Sequence, residues 1–249
     1  MQIPLLEACV DSYASAQAAV RGGADRLELC ANLVIGGTTP SEALFSQIRR
    51  DFDLPVNVLI RPRFGDFLYD DHEQEEMCEE VRRFRSLGAN GVVIGALTPE
   101  GDLDPRRMEA LCSAAQGIDV TLHRAFDMTR DPFAALETAV ALGCTTILTS
   151  GQARDAWTGR ALLRDLAHAA GSRIALLVGA GVNSGNIAAL RRETGLPAYH
   201  TSGRRGNLSS AMLYRKDTVS MGLPSLSEYE LFRANEEEIR ACAAQVHGA

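Results

Sequence analysis

Gly22-Gly23-Ala24-Asp25-Arg26-Leu27-Glu28-Leu29-Cys30 holds a helix stop and the strand that follows it. Glycine just past a last helical turn takes the left-handed end position without a Cβ penalty. The strand from Arg26 to Leu29 turns alternate side chains to opposite faces, so Glu28 and Cys30 point the same way. Leu6-Glu7-Ala8-Cys9 repeats the pattern Leu-Glu-x-Cys and puts Glu7 and Cys9 on one face. The glycine stop recurs at Leu87-Gly88-Ala89-Asn90 and Leu142-Gly143-Cys144-Thr145, each just before a strand.

Working outward, eight short apolar runs read as strands: Leu5–Ala8, Arg26–Leu29, Val56–Ile60, Gly91–Ile94, Val120–His123, Thr146–Thr149, Ile174–Val178 and Ala198–Thr201. Helical stretches lie between most of them. Strands that alternate with helices imply βαβ units and a parallel sheet. Eight such units in 249 residues match an α/β protein with a single (β/α)8 TIM barrel. A doubly wound sheet is the rival. Thr39-Pro40-Ser41-Glu42 reads as a capped start, with Thr39 as cap and Pro40 in the first helical position. Asp131-Pro132 opens the next clear helix in the same way. After strand 8 comes an irregular tail, Arg204–Pro224. Ser225–His247 then reads as a closing helix with a box from Ser225 to Glu228. No linker divides the chain. Residues 1–249 therefore read as one domain, with the tail and helix of 204–249 packed on the barrel.

Composition narrows the function. Hydrophobic residues make up 46% and charged residues 23%, which excludes disorder. The net charge of −7 argues against nucleic acid as a partner. Apolar runs of about eight residues are far short of the roughly 20 that span a bilayer. No secretory signal is visible at Met1-Gln2-Ile3-Pro4, and the six cysteines lack any C-x-x-C spacing. The expectation is reduced thiols in a cytoplasmic protein. Only Lys216 is lysine among 25 basic residues, and it falls in the irregular tail. A Schiff-base lysine on a barrel strand is thereby excluded.

Barrel chemistry gathers where strands end. Those ends are polar here: Glu7 and Cys9, Glu28 and Cys30, Arg61-Pro62-Arg63 running on to Asp66, His123-Arg124-Ala125-Phe126-Asp127, and His200. Charges inside apolar strands are costly unless paired, and Arg61 is the expected partner of Glu7 and Glu28. His123 and His200 suit general acid–base work because their pKa lies near neutrality. Gly179-Ala180-Gly181, with Ser202 and Gly203 after strand 8, form a candidate anion site in the standard phosphate position. A tight turn into a capped helix explains those glycines equally well. Cys9 and Cys30, same-facing on adjacent strands, offer two soft ligands for Cu(I). Packing as small hydrophobes is the bland alternative.

Leu6-Glu7-Ala8-Cys9, Gly23–Cys30, Gly36-Gly37-Thr38-Thr39-Pro40-Ser41, Ile60-Arg61-Pro62-Arg63-Phe64-Gly65-Asp66-Phe67, Leu122–Met128 and Leu148-Thr149-Ser150-Gly151 together resemble the CutC copper-homeostasis family. The resemblance runs from Glu7 to the Met221 region. It implies a TIM barrel, a cytoplasmic location, a homodimer or homotetramer, and a role in copper handling. It also implies that Cys9 and Cys30 occupy the positions proposed to bind Cu(I). Phe64 stands where members often have glycine, and Leu68 where some have cysteine.

Two functions follow as expectations. One is a homeostasis protein that holds copper as Cu(I) through Cys9 and Cys30. The other is a barrel enzyme for a small polar or anionic substrate. In it Arg61 and Arg63 clamp the anion, and proton transfers fall to Glu7, Glu28, Asp66, His123, Asp127 or His200. In a third, structural reading these groups only stabilise the barrel.

Overall fold

Strands β1 (Leu5–Val10) and β2 (Arg26–Leu29) run parallel, with Glu7 opposite Arg26 and Cys9 opposite Glu28. The computed structural model describes residues 3–206, 208–216, 218–223 and 226–248. The sheet continues through β3 (Val56–Leu59), β4 (Gly91–Ile94), β5 (Asp119–Leu122), β6 (Thr146–Thr149), β7 (Ala175–Val178) and β8 (Ala198–Thr201). β8 pairs back onto β1, with His200 opposite Glu7, and closes a parallel eight-stranded barrel. Helices α1 (Tyr13–Gly22), α2 (Glu42–Asp51), α3 (Asp71–Ser86), α4 (Pro105–Ala114), α5 (Pro132–Ala141), α6 (Arg160–Ala170), α7 (Ile187–Thr194) and α8 (Glu236–His247) surround it. This is the TIM barrel expected from the alternation. α8 packs against α1 and α7, so the closing helix is the eighth member of the ring.

The two faces of each strand do different work. Leu6, Ala8 and Val10, then Leu27 and Leu29, Val56 and Val58, and Val92 and Ile94 are fully buried in the main core with residues of the surrounding helices. Truncating one of these leucines to alanine costs about 2–5 kcal/mol. The intervening positions carry Glu7, Cys9, Glu28, Asn57, Thr121 and His200. This period-two split is why the strands mix apolar and charged residues.

Four strands, β2, β4, β6 and β8, have the bounds read from sequence. β1 runs two residues further, to Val10, and β5 sits one residue earlier, at Asp119–Leu122. His123 is therefore not a strand residue. It caps a short 3-10 turn, Arg124–Met128. Asp131 caps α5 with Pro132 in its first turn, as expected.

Two starts differ. The cap of α2 is Ser41, whose hydroxyl accepts from Leu44 N–H. Thr39 is engaged elsewhere: its N–H donates to Arg61 O at 2.9 Å and its hydroxyl accepts from Arg61 N–H at 3.0 Å. The closing helix starts at Glu236, not at residue 225. Asn235 caps it, and Glu236, Glu237 and Glu238 in its first turn complement the helix dipole. Upstream, Glu230–Leu231 pairs antiparallel with Leu208–Ser209, so this stretch is not helical. Ser225 lies outside the described residues.

Candidate metal centre at the barrel mouth

Glu7 is the hub of the barrel interior and only 1% exposed. Arg26 Nε donates to its Oε2 at 2.6 Å. His200 Nδ1 lies 2.7 Å from its Oε1. Burial alone would raise the Glu7 pKa, but Arg26 and His200 hold it down to about 2. Glu7 is therefore a carboxylate at neutral pH. The other ring nitrogen of His200, Nε2, lies 3.7 Å from Glu28 Oε2. Burial disfavours charge on His200, yet Cys9, Glu28 and Glu7 together raise its pKa well above the ordinary imidazole value. Burial pushes the Glu28 pKa up, and Glu7 adds to this.

Ligand atoms of Cys9, Glu28 and His200 all lie within 4.8 Å of one another. The register explains the gathering. Cys9 is opposite Glu28 across β1–β2, and His200 is opposite Glu7 across β1–β8. Cys9 Sγ also meets Thr201 O at 3.6 Å. Cys30 is fully buried, and its thiol donates to Glu28 Oε2 at 3.4 Å. Burial, then Glu28, pushes its pKa well above the usual thiol range. Cys9 and Cys30 share one small apolar cluster with Leu59 and Val93. The convergent set is thus a thiol, a carboxyl and an imidazole, and Cys30 joins it through Glu28.

A cavity of about 140 Å³ opens over this group. Its lining adds Arg61, His123, Arg124 and Phe67 to Cys9, Glu28, Cys30 and His200. Arg61 was expected to pair with Glu7 and Glu28. It does not, because Arg26 and His200 already take Glu7. Instead Arg61 donates to Gly36 O at 3.2 Å, Gly37 O at 3.0 Å and Gly65 O at 2.7 Å. Gly37 has φ of +87°, and a Cβ there would sit 2.7 Å from Leu59 Cδ2, so only glycine brings this carbonyl into place. His123 Nδ1 accepts from Ala125 N–H at 3.1 Å. Burial and then Arg61 depress its pKa to about 3, so the ring is neutral with its proton on Nε2.

Other expected residues lie apart. Arg63 pairs with Glu73 at 2.5 Å and Asp66 at 3.2 Å, with its guanidinium over Tyr69, so neither Arg63 nor Asp66 lines the cavity. Asp127 is used up in tying the turn after β5 to the end of β6 and the loop that follows it. It accepts from Thr149 Oγ1, Ser150 N–H, Gln152 N–H and Arg124 Nε. Gly179 packs on Leu148, and Gly203 on Ile239. Gly181 O accepts from Asn183 and Asn186, while Ser202 is half-buried. In this region Ser184 N–H donates to a carboxylate of the chain itself, Glu238 Oε1 of α8, at 2.7 Å. Arg205 Nε donates to Glu238 Oε2 at 2.7 Å. Lys216 is exposed in the β8–α8 connection and belongs to no barrel strand.

Sequence reading missed Arg26 as the partner of Glu7. Alternation alone places Arg26 on the same face as Glu28, which was the available signal. It also missed Phe67 and Glu238, for which no local pattern exists.

A model of the CutC family matches residues 4–205. The chain is 45% identical over 237 residues to a CutC family protein of Chromobacterium violaceum, covering 95% of this chain and 96% of that one. It is 47% identical over 226 residues to a counterpart in Bacteroides thetaiotaomicron, covering 90% of each. The crystal structure of CutC from Streptococcus agalactiae superposes with a TM-score of 0.77 at 32% identity, over 80% of this chain and 99% of that one. A phosphoribosyl anthranilate isomerase of Thermotoga maritima, with TM-score 0.59 and 12% identity, shares the fold alone. On sequence, length and barrel geometry, this chain belongs to the CutC family.

Proposed function

We propose that this protein serves copper homeostasis in the cytoplasm by binding Cu(I) at the barrel mouth. Cys9 Sγ and His200 Nε2 are the primary ligands, and the Glu28 carboxylate stands beside the ion. The gathering of these three ligand atoms within 4.8 Å carries the reading. The donor chemistry fits. A soft thiolate with an imidazole suits Cu(I), and a metal-binding histidine usually gives its other ring N–H to a carboxylate. Glu7 occupies that position, and Arg26 fixes Glu7 in turn. Cys30 is the second sulfur of the same cluster. All six cysteines are free, in keeping with a reducing compartment. Among the described residues no helix is long and apolar enough to cross a membrane. The Streptococcus agalactiae relative carries a copper-homeostasis name. We read the whole chain as one domain and, by family resemblance, its assembly as a homodimer or homotetramer.

Metal binding here displaces protons, because the thiol and the imidazole must both lose theirs. X-ray absorption at the copper edge of the Cu(I)-loaded protein tests the ligand set. The expected result is one sulfur with nitrogen or oxygen neighbours. A two-sulfur site without nitrogen contradicts it and returns the assignment to the Cys9–Cys30 pair.

A further inference from the structure

We infer that the cavity at the barrel mouth also binds a small organic monocarboxylate, with Arg61 and His123 as its anchors. The observations are separate from those behind the copper reading. Arg61 is 7% exposed and His123 5% exposed. Arg61 Nε and His123 Nε2 are both buried without a hydrogen-bond partner. Buried polar groups in native proteins are almost always paired, so two orphans lining one cavity ask for an acceptor.

Charge sharpens the class. The Arg61 fork donates to the carbonyls of Gly36, Gly37 and Gly65, has the face of Phe67 4.9 Å from its Cζ, and neighbours the Tyr69 side chain. The nearby buried carboxylates are engaged elsewhere: Glu7 with Arg26 and His200, and Glu28 with His200. A buried guanidinium without a carboxylate lacks one negative charge. His123 adds a neutral N–H, since its Nδ1 accepts from Ala125. One cation and two donors match one carboxylate. A phosphate dianion would bring a second charge toward Glu28. The Phe67 ring lies 4.8 Å from the His123 ring and 4.9 Å from Arg61 Cζ, so both anchors contact one aromatic ring.

Size and lining give the rest. A cavity near 150 Å³ holds a benzene-sized ligand, about six heavy atoms. Leu33, Leu59, Phe67 and Leu148 supply apolar wall for a short carbon chain. The ligand class is therefore a monocarboxylate of about three to five carbons.

The test uses the full chain, stripped of metal and titrated by calorimetry with propionate, lactate, pyruvate, butyrate and inorganic phosphate. The expected result is 1:1 binding of at least one carboxylate with Kd below about 1 mM. Phosphate should bind at least tenfold more weakly. Arg61→Gln should weaken the carboxylate at least tenfold. Arg61 also ties two loops, so Leu33→Trp, which fills the cavity and leaves Arg61 in place, serves as the second variant and should abolish binding. The inference is overturned if no carboxylate binds below about 10 mM, if phosphate binds tightest, or if folded Leu33→Trp keeps full affinity. Carboxylate binding without Cu(I) uptake sinks only the copper reading. Cu(I) uptake without carboxylate binding sinks only this one.

Discussion

Glu7 Oε1 lies 2.7 Å from His200 Nδ1, and that bond leaves Nε2 of the same ring toward Glu28 and the cavity. It turns a partly buried histidine into an oriented ligand. It also ties strand β1 to strand β8 at the seam of the barrel.

Glu7→Gln should weaken Cu(I) binding about 10–100-fold, the usual cost of losing an orienting carboxylate. It should also destabilise the fold by about 2–4 kcal/mol, because the partly buried Arg26 and His200 are left without their anion. The sign with pH follows from a carboxyl pKa lowered from 4.5 to about 2. The stabilisation by Glu7 is complete above about pH 4.5 and is lost as pH falls toward about 2. Urea unfolding of both proteins should show a large gap at pH 7 that shrinks at about pH 3. An equal gap at both values contradicts the charge assignment.

His123 should stay neutral across physiological pH. Its pKa of about 3 lies below the unfolded value, so the unfolded chain takes up a proton that the native ring refuses. Stability from this residue is full above about pH 6.5 and falls as pH drops toward about 3. Nitrogen-15 NMR of the imidazole should report the Nε2–H form from pH 5 to 8. A titration with midpoint above about 5 would show that the ring is not the fixed neutral donor described.

Gly95 has no room for a side chain. A Cβ there would fall 2.5 Å from His123 Cε1 and 2.6 Å from Nδ1. Gly95→Ala should push the imidazole off Ala125, cost about 1–3 kcal/mol and weaken monocarboxylate binding about tenfold. Calorimetry with unfolding curves measures both. Unchanged carboxylate affinity would remove His123 from the anchor pair.

Glu238 on α8 accepts from Ser184 N–H at 2.7 Å, Ser184 Oγ at 3.1 Å and Arg205 Nε at 2.7 Å. It is the chain's own carboxylate at the loop after β7. Glu238→Ala leaves these donors without an acceptor and should cost about 1–3 kcal/mol. Amide exchange should show the loss concentrated in α8 and the turn before α7. A change under about 0.5 kcal/mol contradicts this docking role.

The barrel was legible in the sequence because glycine stops and apolar runs are local signals. Gly23 and Arg26–Leu29 read correctly from nine residues. Strand alternation also placed Glu7 with Cys9 and Glu28 with Cys30. What alternation cannot give is the stagger between strands. Register puts Cys9 beside Glu28 and brings His200 to Glu7, so the convergent group holds one sulfur rather than two. Arg61 was misassigned for the same reason: its partners Gly36, Gly37 and Gly65 belong to loops whose path no periodicity encodes. Arg63 and Asp66 follow Arg61 closely in sequence, yet Arg63 turns outward to Glu73 and Asp66 pairs with Arg63. The closing helix was misplaced because Asn235, not Ser225, supplies its cap.

Titration of the metal-free chain with Cu(I) against a chromophoric chelator, under reducing conditions, tests the copper site most directly. The site described here predicts one Cu(I) per chain, with affinity reduced at least about 100-fold in Cys9→Ser and in His200→Asn. Absence of Cu(I) uptake by the unaltered chain, or undiminished affinity in the Cys9→Ser, His200→Asn double variant, would contradict it.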